Sequence, residues 1–203
     1  MRDRLRGVTV PIEVVTRERL PAMAAVLARA FADDPMIRWP LLPAGDDIGE
    51  RIEQTFGSIY HGIVDLELIW EAGDGDGFAV WIPPGMADQM FESDAAAREL
   101  VAPLTDDGAA RYDVLWSWIE AHTSEDVWYL DVLGVEPAKQ GKGVGSALIR
   151  FGLERAARDG ADAFLETAIE ANVAYYERFG FRTVFDGRAS DDAPRIWFMR
   201  TGG

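Results

Sequence analysis

A glycine-spaced loop, Gln140-Gly141-Lys142-Gly143-Val144-Gly145-Ser146, joins a strand-like stretch to a helix-like one and constrains this chain more than any other segment. Residues 127–135 before it are rich in β-branched and aromatic side chains, and residues 147–158 after it repeat apolar side chains at helical spacing. The loop therefore opens a helix. The first amide groups of a helix lack intrahelical partners and carry a partial positive charge, and Gly141, Gly143 and Gly145 have no side chains to hold an anion off. The pattern predicts a pyrophosphate cradle. Two commoner cradles fail on spacing. A Walker A loop needs Ser or Thr directly after Gly141-Lys142 and a Gly five residues before Gly141, where Gly143 and Glu136 stand instead. A dinucleotide fingerprint needs G-x-G-x-x-G, and the chain has G-x-G-x-G followed by Ser146.

The spacing from Gln140 to Gly145, after a strand ending in Val135 and Pro137, resembles the Q/R-x-x-G-x-G/A signature of the GNAT N-acetyltransferases. Residues 163–167, then Asn172 and residues 175–181, resemble that family's later strand, helix and closing strand. More closely, residues 30–33, Val80-Trp81, residues 140–147, 164–167 and 176–181 resemble the puromycin N-acetyltransferases and their actinobacterial relatives. The resemblance implies an α/β fold, with a mixed, mainly antiparallel sheet flanked by helices on both faces and strands splayed at the cofactor site. It implies acetyl-CoA as acyl donor. On this reading residues 1–203 form one domain, with acceptor-side helices and a hairpin in 1–126 and the acetyl-CoA-binding core in 127–203.

Composition agrees. A chain of 203 residues with 48% hydrophobic side chains can bury one sizeable core. Residues 1–7 are basic but lead into no apolar stretch of signal-peptide length, and no run approaches the ~18 apolar residues of a membrane span, so a cytoplasmic protein is expected. The absence of cysteine excludes disulfides and an acetyl-cysteine intermediate. An acetyl group would pass directly from thioester to acceptor in a ternary complex. With only His61 and His122 and no H-E-x-x-H, no metal is expected, and no G-x-S-x-G elbow marks a serine hydrolase.

Charge is unevenly spread. The net charges of residues 1–30, 31–126 and 127–203 are +3, -17 and -1. The middle third would repel nucleic acid and attract cations, while Lys139 and Lys142 flank the loop, so the expected partner is a small-molecule amine. Many of these acids could equally be solvated faces that confer solubility. A homodimer stays open, since relatives often dimerise but no segment is plainly an exposed strand edge or patch.

The hydrophobic pattern predicts strands at 8–15, 66–70, 78–82, 127–135, 163–167, 182–185 and 195–199. Helices are predicted at 17–32, 48–62, 88–100, 107–122, 147–158 and 172–179, and the turn at 73–77 signals a hairpin. The insertion between hairpin and cofactor strand is read as the substrate cover.

By resemblance, backbone groups of Leu133, Gly134 and Val135 bind the pantetheine arm, and an amide of Leu133 or Gly134 could hold the thioester oxygen. Gln140, Gly141, Lys142, Gly143, Val144, Gly145 and Ser146 form the pyrophosphate grip. Asn172 and Tyr176 share one helical face, and Tyr175 and Phe179 another that should face the core. The resemblance makes Tyr176 the acid for the departing thiolate and Asn172 a pantetheine ligand. The acceptor amine needs a base, for which Glu166 is the first candidate because a Glu within a strand asks for a reason. Asp131 is the second, expected to point opposite to Leu130 and Val132. Either could instead pair structurally or anchor a substrate ammonium. Two alternatives to a small-molecule acetyltransferase remain: a non-catalytic acyl-CoA binder, and an enzyme acting on a protein or peptide amine.

Overall fold

A computed structural model describes residues 10–42, 47–86, 98, 99 and 101–202. Its strands are β1 (Ile12–Val14), β2 (Ile69–Ala72), β3 (Gly77–Ile82), β4 (Trp128–Val135), β5 (Ala163–Thr167), β6 (Arg182–Gly187) and β7 (Ile196–Arg200). They form one sheet in the order β1-β2-β3-β4-β5-β7-β6, antiparallel throughout except where β4 runs parallel to β5. The helices are α1 (Leu20–Ala30), α2 (Pro35–Arg38), α3 (Ile48–His61), α4 (Ala110–Glu120), α5 (Val144–Asp159) and α6 (Glu170–Glu177).

The alternation of β3 divides the helices between the two faces. Val80 and Ile82 join Met23, Leu27, Ile52 and Phe56 of α1 and α3, while Ala79 and Trp81 join Leu148, Ile149 and Ala156 of α5. A third cluster sets Leu115 and Ile119 of α4 against Phe164, Ile196 and Phe198. Close approach of α5 depends on Gly152, where a Cβ would fall 2.0 Å from the Trp81 indole. Trp81 Nε1 donates to the Leu148 carbonyl at 3.2 Å, so this large side chain is fully buried without losing its hydrogen bond.

Several predicted boundaries move, each for a local reason. The first helix is preceded by a 3-10 turn at Arg17–Arg19 and stops at Ala30, and Asp34 then caps the separate α2, which the sequence pattern missed. α4 begins at Ala110 rather than 107 because the Asp107 carboxylate accepts from the Ala110 and Arg111 amides. A 3-10 turn at Val64–Leu66 delays β2 to Ile69. α5 starts earlier than predicted, at Val144, and α6 is shifted to Glu170–Glu177. Residues 8 and 9 of the first predicted strand, and most of the helix predicted at 88–100, lie outside the described residues. One expectation is overturned: β6 is an exposed edge strand, with Val184 59% and Phe185 43% accessible.

Candidate active site

Pairing between β4 and β5 ends almost as soon as it begins. Only Trp128↔Ala163 and Tyr129↔Phe164 are registered, so β4 beyond Tyr129 has no ladder partner on that side. Leu133, Gly134 and Val135 lie in this splayed stretch, still paired to Ala79, Phe78 and Gly77 of β3 on the other side. The Val135 carbonyl accepts from Gln140 Nε2 at 3.2 Å, so Gln140 braces the strand end on which the loop turns. Gly134 serves a close approach, since a Cβ there would lie 2.3 Å from Leu27 Cδ2 of α1.

The loop after β4 has the backbone of an anion cradle. Gly141 and Gly143 have φ of +73° and +91°, and a Cβ on either would meet open space, so their surroundings are clear for a ligand. Gly143 caps α5, whose first turn has no side-chain cap and no acidic residue. Lys142 Nζ donates to the Ala138 carbonyl, Lys139 pairs with Asp76 at 2.8 Å, and the Val144 side chain is buried beneath Gly77. Ser146 Oγ lies 3.2 Å from Tyr175 Oη, and that hydroxyl also sits 3.3 Å from where a Gly145 Cβ would be. Tyr175 was expected in the core. Its ring packs edge-on against Phe179 and Tyr176, but its hydroxyl reaches the loop. These features fit a coenzyme A pyrophosphate and pantetheine.

Across the splay, α6 presents Tyr176, buried and edge-on to Phe181. Burial, then the nearby Tyr175, Glu166 and Asp34, raises its hydroxyl above the ordinary phenol range, so it holds its proton at neutral pH. Asn172 Nδ2 donates to Thr167 Oγ1 at 3.4 Å, tying the start of α6 to the end of β5.

A β-bulge places the carboxylates. Val132 pairs with Val80 and Leu130 with Trp81, so Asp131 is the extra residue and the side-chain alternation slips there. Asp131 does not point opposite to both neighbours, as a regular strand would require: Leu130 packs in the α5 core, whereas Val132 joins the α1–α3 core. Asp131 accepts from Tyr60 Oη of α3 at 2.7 Å, which puts it on that second face. Burial pushes its carboxyl up to about 6 against the opposing pull of Tyr60. Glu166 Oε1 accepts from Tyr129 Oη at 2.7 Å, while its buried Oε2 has no hydrogen-bond partner. Burial first, and the charges of Asp131 and Asp34, push Glu166 up to about 8 although the Tyr129 bond works the other way. Asp34, buried at the cap of α2, is raised by burial against the Met36 and Ile37 amides that donate to it.

Asp131 lines a cavity bounded by α2, α3, α4 and the ends of β3 and β4, with Phe31, Phe56, Tyr60, Tyr112, Trp116 and Tyr129 in its walls. Glu166 does not line it and stands behind Tyr129. Sequence reasoning missed Tyr60, Tyr129 and the aromatic walls. The available signal was the pair Phe56 and Tyr60, four apart on one face of an amphipathic helix, but periodicity alone reads them as core. Among the described residues no group of His, Asp and Glu is arranged to hold a metal ion, and no helix is long and apolar enough to cross a membrane.

Residues 69–181, from β2 to just past α6, match the acetyltransferase (GNAT) family. The chain belongs to that family. This GNAT acetyltransferase is 28% identical over 169 residues to an N-acetyltransferase of Schizosaccharomyces pombe, covering 78% of this chain and 68% of that protein. It is 32% identical over 122 residues to mycothiol acetyltransferase of Streptomyces scabiei, covering 58% of this chain but only 40% of that longer relative. Its fold is shared with a Corynebacterium glutamicum structure described as histone acetyltransferase HPA2 and related acetyltransferase, with TM-score 0.67, 23% identity and 96% of both chains covered. It is shared too with the PaiA N-acetyltransferase of Thermoplasma acidophilum in complex with coenzyme A, with TM-score 0.58, 12% identity and coverage of 97% of this chain and 100% of that one. The GNAT family uses acetyl-CoA, and the chain is an N-acetyltransferase of that type.

Proposed function

We propose that this enzyme moves an acetyl group from acetyl-CoA directly to the primary amine of a cationic small molecule, with both substrates bound at once. One observation carries the reading: β4 leaves β5 after Tyr129, and the strand that splays also carries Asp131 into the wall of a separate cavity. Donor and acceptor would meet across residues 130–133. The lack of cysteine leaves no thiol to hold the acetyl group in between. Patches similar to puromycin N-acetyltransferases, at 30–33 and 176–181, support a small-molecule acceptor, and the coenzyme A donor supports a cytoplasmic site.

When bound, acetyl-CoA supplies an activated acetyl group as a thioester. Gly141, Gly143, Gly145 and the first turn of α5, with Lys142 and Ser146 beside them, hold the pyrophosphate, and the free edge of Leu133, Gly134 and Val135 aligns the pantetheine. Asn172 fixes the α6 end of that channel through Thr167. Asp131 takes a proton from the acceptor ammonium: with a pKa of about 6 it is ionised at neutral pH, and it lines the cavity. This reverses the sequence ranking of the two carboxylates. Glu166, at about 8, is mostly protonated at pH 7 and acts through Tyr129, fixing the phenol that borders the amine. Tyr176 donates to the departing sulfur. Two protons leave the nitrogen, one ending on sulfur through Tyr176 and the other passing by Asp131 to solvent.

Thiol release over a panel of antibiotics, polyamines, amino acids and peptides, with acetyl-CoA and longer acyl donors, tests the reading. Acetyl transfer to at least one small cationic amine is the expected outcome. Release only with peptide amines would sink the small-molecule assignment, and none with any amine would sink the enzymatic one.

A further inference from the structure

We infer that the acceptor is an amine with an aromatic or similarly bulky apolar body, a single ammonium and no carboxylate. The inference rests on the acetyl-transfer reading and names the substrate class of that same site. Two aromatic groups line the cavity. In one, Phe31 and Phe56 pack with ring centroids 5.3 Å apart, and Phe56 stacks on Tyr60 at 6.0 Å with the planes 8° from parallel. In the other, Tyr112 and Trp116 of α4 pack at 5.9 Å and 55°. Flat walls of this kind favour a ring against them through dispersion and edge-to-face contact.

Three of the polar side chains in those walls are already committed. Tyr60 donates to Asp131, Tyr129 to Glu166, and Thr55 Oγ1 to the Arg51 carbonyl. A hydroxyl-rich or multiply charged acceptor would therefore leave its own groups unpaired in an apolar chamber, which is costly.

The charges in the lining have one sign. Among the described residues that border the cavity, the ionisable acids are Asp131, Glu120 and Glu125, and no Lys, Arg or His is present. Asp131 lies deep, bonded to Tyr60, while Glu120 is exposed at the end of α4 and Glu125 is exposed just beyond it. One ammonium has a carboxylate partner beside the splay. A second ammonium would have to stay among aromatic rings or reach the rim, and a carboxylate anywhere inside would meet only like charge. The chamber thus discriminates by body and by charge, separating simple aromatic amines from polyamines on one hand and from amino acids and peptides on the other.

The test compares 2-phenylethylamine, n-butylamine, putrescine and L-phenylalanine at saturating acetyl-CoA, with free thiol as readout. Each alternative changes one property: the ring, the number of charges, or the carboxylate. The expected kcat/KM for 2-phenylethylamine exceeds that for n-butylamine and putrescine by about tenfold or more, and that for L-phenylalanine by about a hundredfold. Trp116→Ala should narrow the gap in kcat/KM between 2-phenylethylamine and n-butylamine. Putrescine or L-phenylalanine equalling 2-phenylethylamine in the unaltered enzyme overturns the inference, whatever the variant does. If no amine releases thiol while coenzyme A still raises the melting temperature, the acetyl-transfer reading fails instead. Calorimetric titration with the same four compounds then decides the chamber's preference, and equal or stronger binding of L-phenylalanine or putrescine overturns it.

Discussion

The two halves of the site are built from different material. The proposed donor half occupies residues 128–146 almost without interruption and consists mainly of backbone: an unpaired strand edge, glycines at positive φ and the uncapped first turn of a helix. The proposed acceptor half is assembled from Phe31 just past α1 and from side chains on α2, α3, α4, β3 and β4, segments separated by as many as 100 residues. A backbone site tolerates almost any side chain that stays out of the way, whereas a side-chain site changes its ligand with each substitution. One donor with a variable acceptor follows from that difference in construction.

The sharpest way to break the comparison is Asp131→Asn. If the halves are separable, kcat/KM for the amine falls by about 10²- to 10⁴-fold while the dissociation constant for coenzyme A stays put. In the unaltered enzyme the Asp131 carboxyl loses its proton as pH rises through about 6, so the activity limb there should vanish in the variant. A large loss of coenzyme A affinity would mean that the bulge at Asp131, and not its charge, supports both halves.

Glu166→Gln probes the seam between them. A carboxyl raised from 4.5 to about 8 in the folded state binds its proton more tightly there than in the unfolded chain. Its contribution to stability is complete below pH 4.5 and is lost as pH rises through 8, on the order of 5 kcal/mol over the whole interval. The amide keeps an acceptor for Tyr129 and does not titrate. The variant should therefore melt progressively higher than the parent between pH 6 and pH 9, and parallel curves would show that Glu166 is not held neutral.

The same contrast decides what the sequence discloses. Gly141 and Gly143 are legible locally, because positive φ and an open approach are properties of the glycine itself and its nearest neighbours. Asp131 does not, because Leu130-Asp131-Val132 has the alternation of a regular strand and its bulge is fixed by the register against Val80 and Trp81, about fifty residues earlier. Tyr60 and Trp116 read as core residues on helices, and only the cavity that α3 and α4 both border turns them into walls. Glu166 was noticed as an unusual strand carboxylate, yet its exclusion from the cavity depends on Tyr129 standing in between. α2 escaped for a simpler reason: four residues are too few for a periodic signal, and Asp34-Pro35 reads equally as a stop for α1.

Gly143→Val tests the donor half from the other direction. A β-branched residue at φ +91° is strained by about 1–3 kcal/mol, and the loop would relax away from the geometry that aims the α5 amides. KM for acetyl-CoA should rise about tenfold or more with the order of amine preference unchanged. A reordered amine preference would show that the cradle also shapes the acceptor chamber.

The smallest expected effect belongs to Tyr176→Phe, and it isolates a proton from a packing contact. The ring is buried between Tyr175 and Phe181, and Phe fills the same space, so fold and coenzyme A affinity should be retained. What disappears is the hydroxyl proposed to protonate sulfur. A thiol of pKa near ~8.5 is already a fair leaving group, so the loss in kcat should be only about tenfold, at the low end of general-acid catalysis. The deficit should shrink with a donor whose leaving thiol is more acidic, because such a thiolate needs less help. A deficit independent of thiol acidity would instead make Tyr176 a positioning residue on α6.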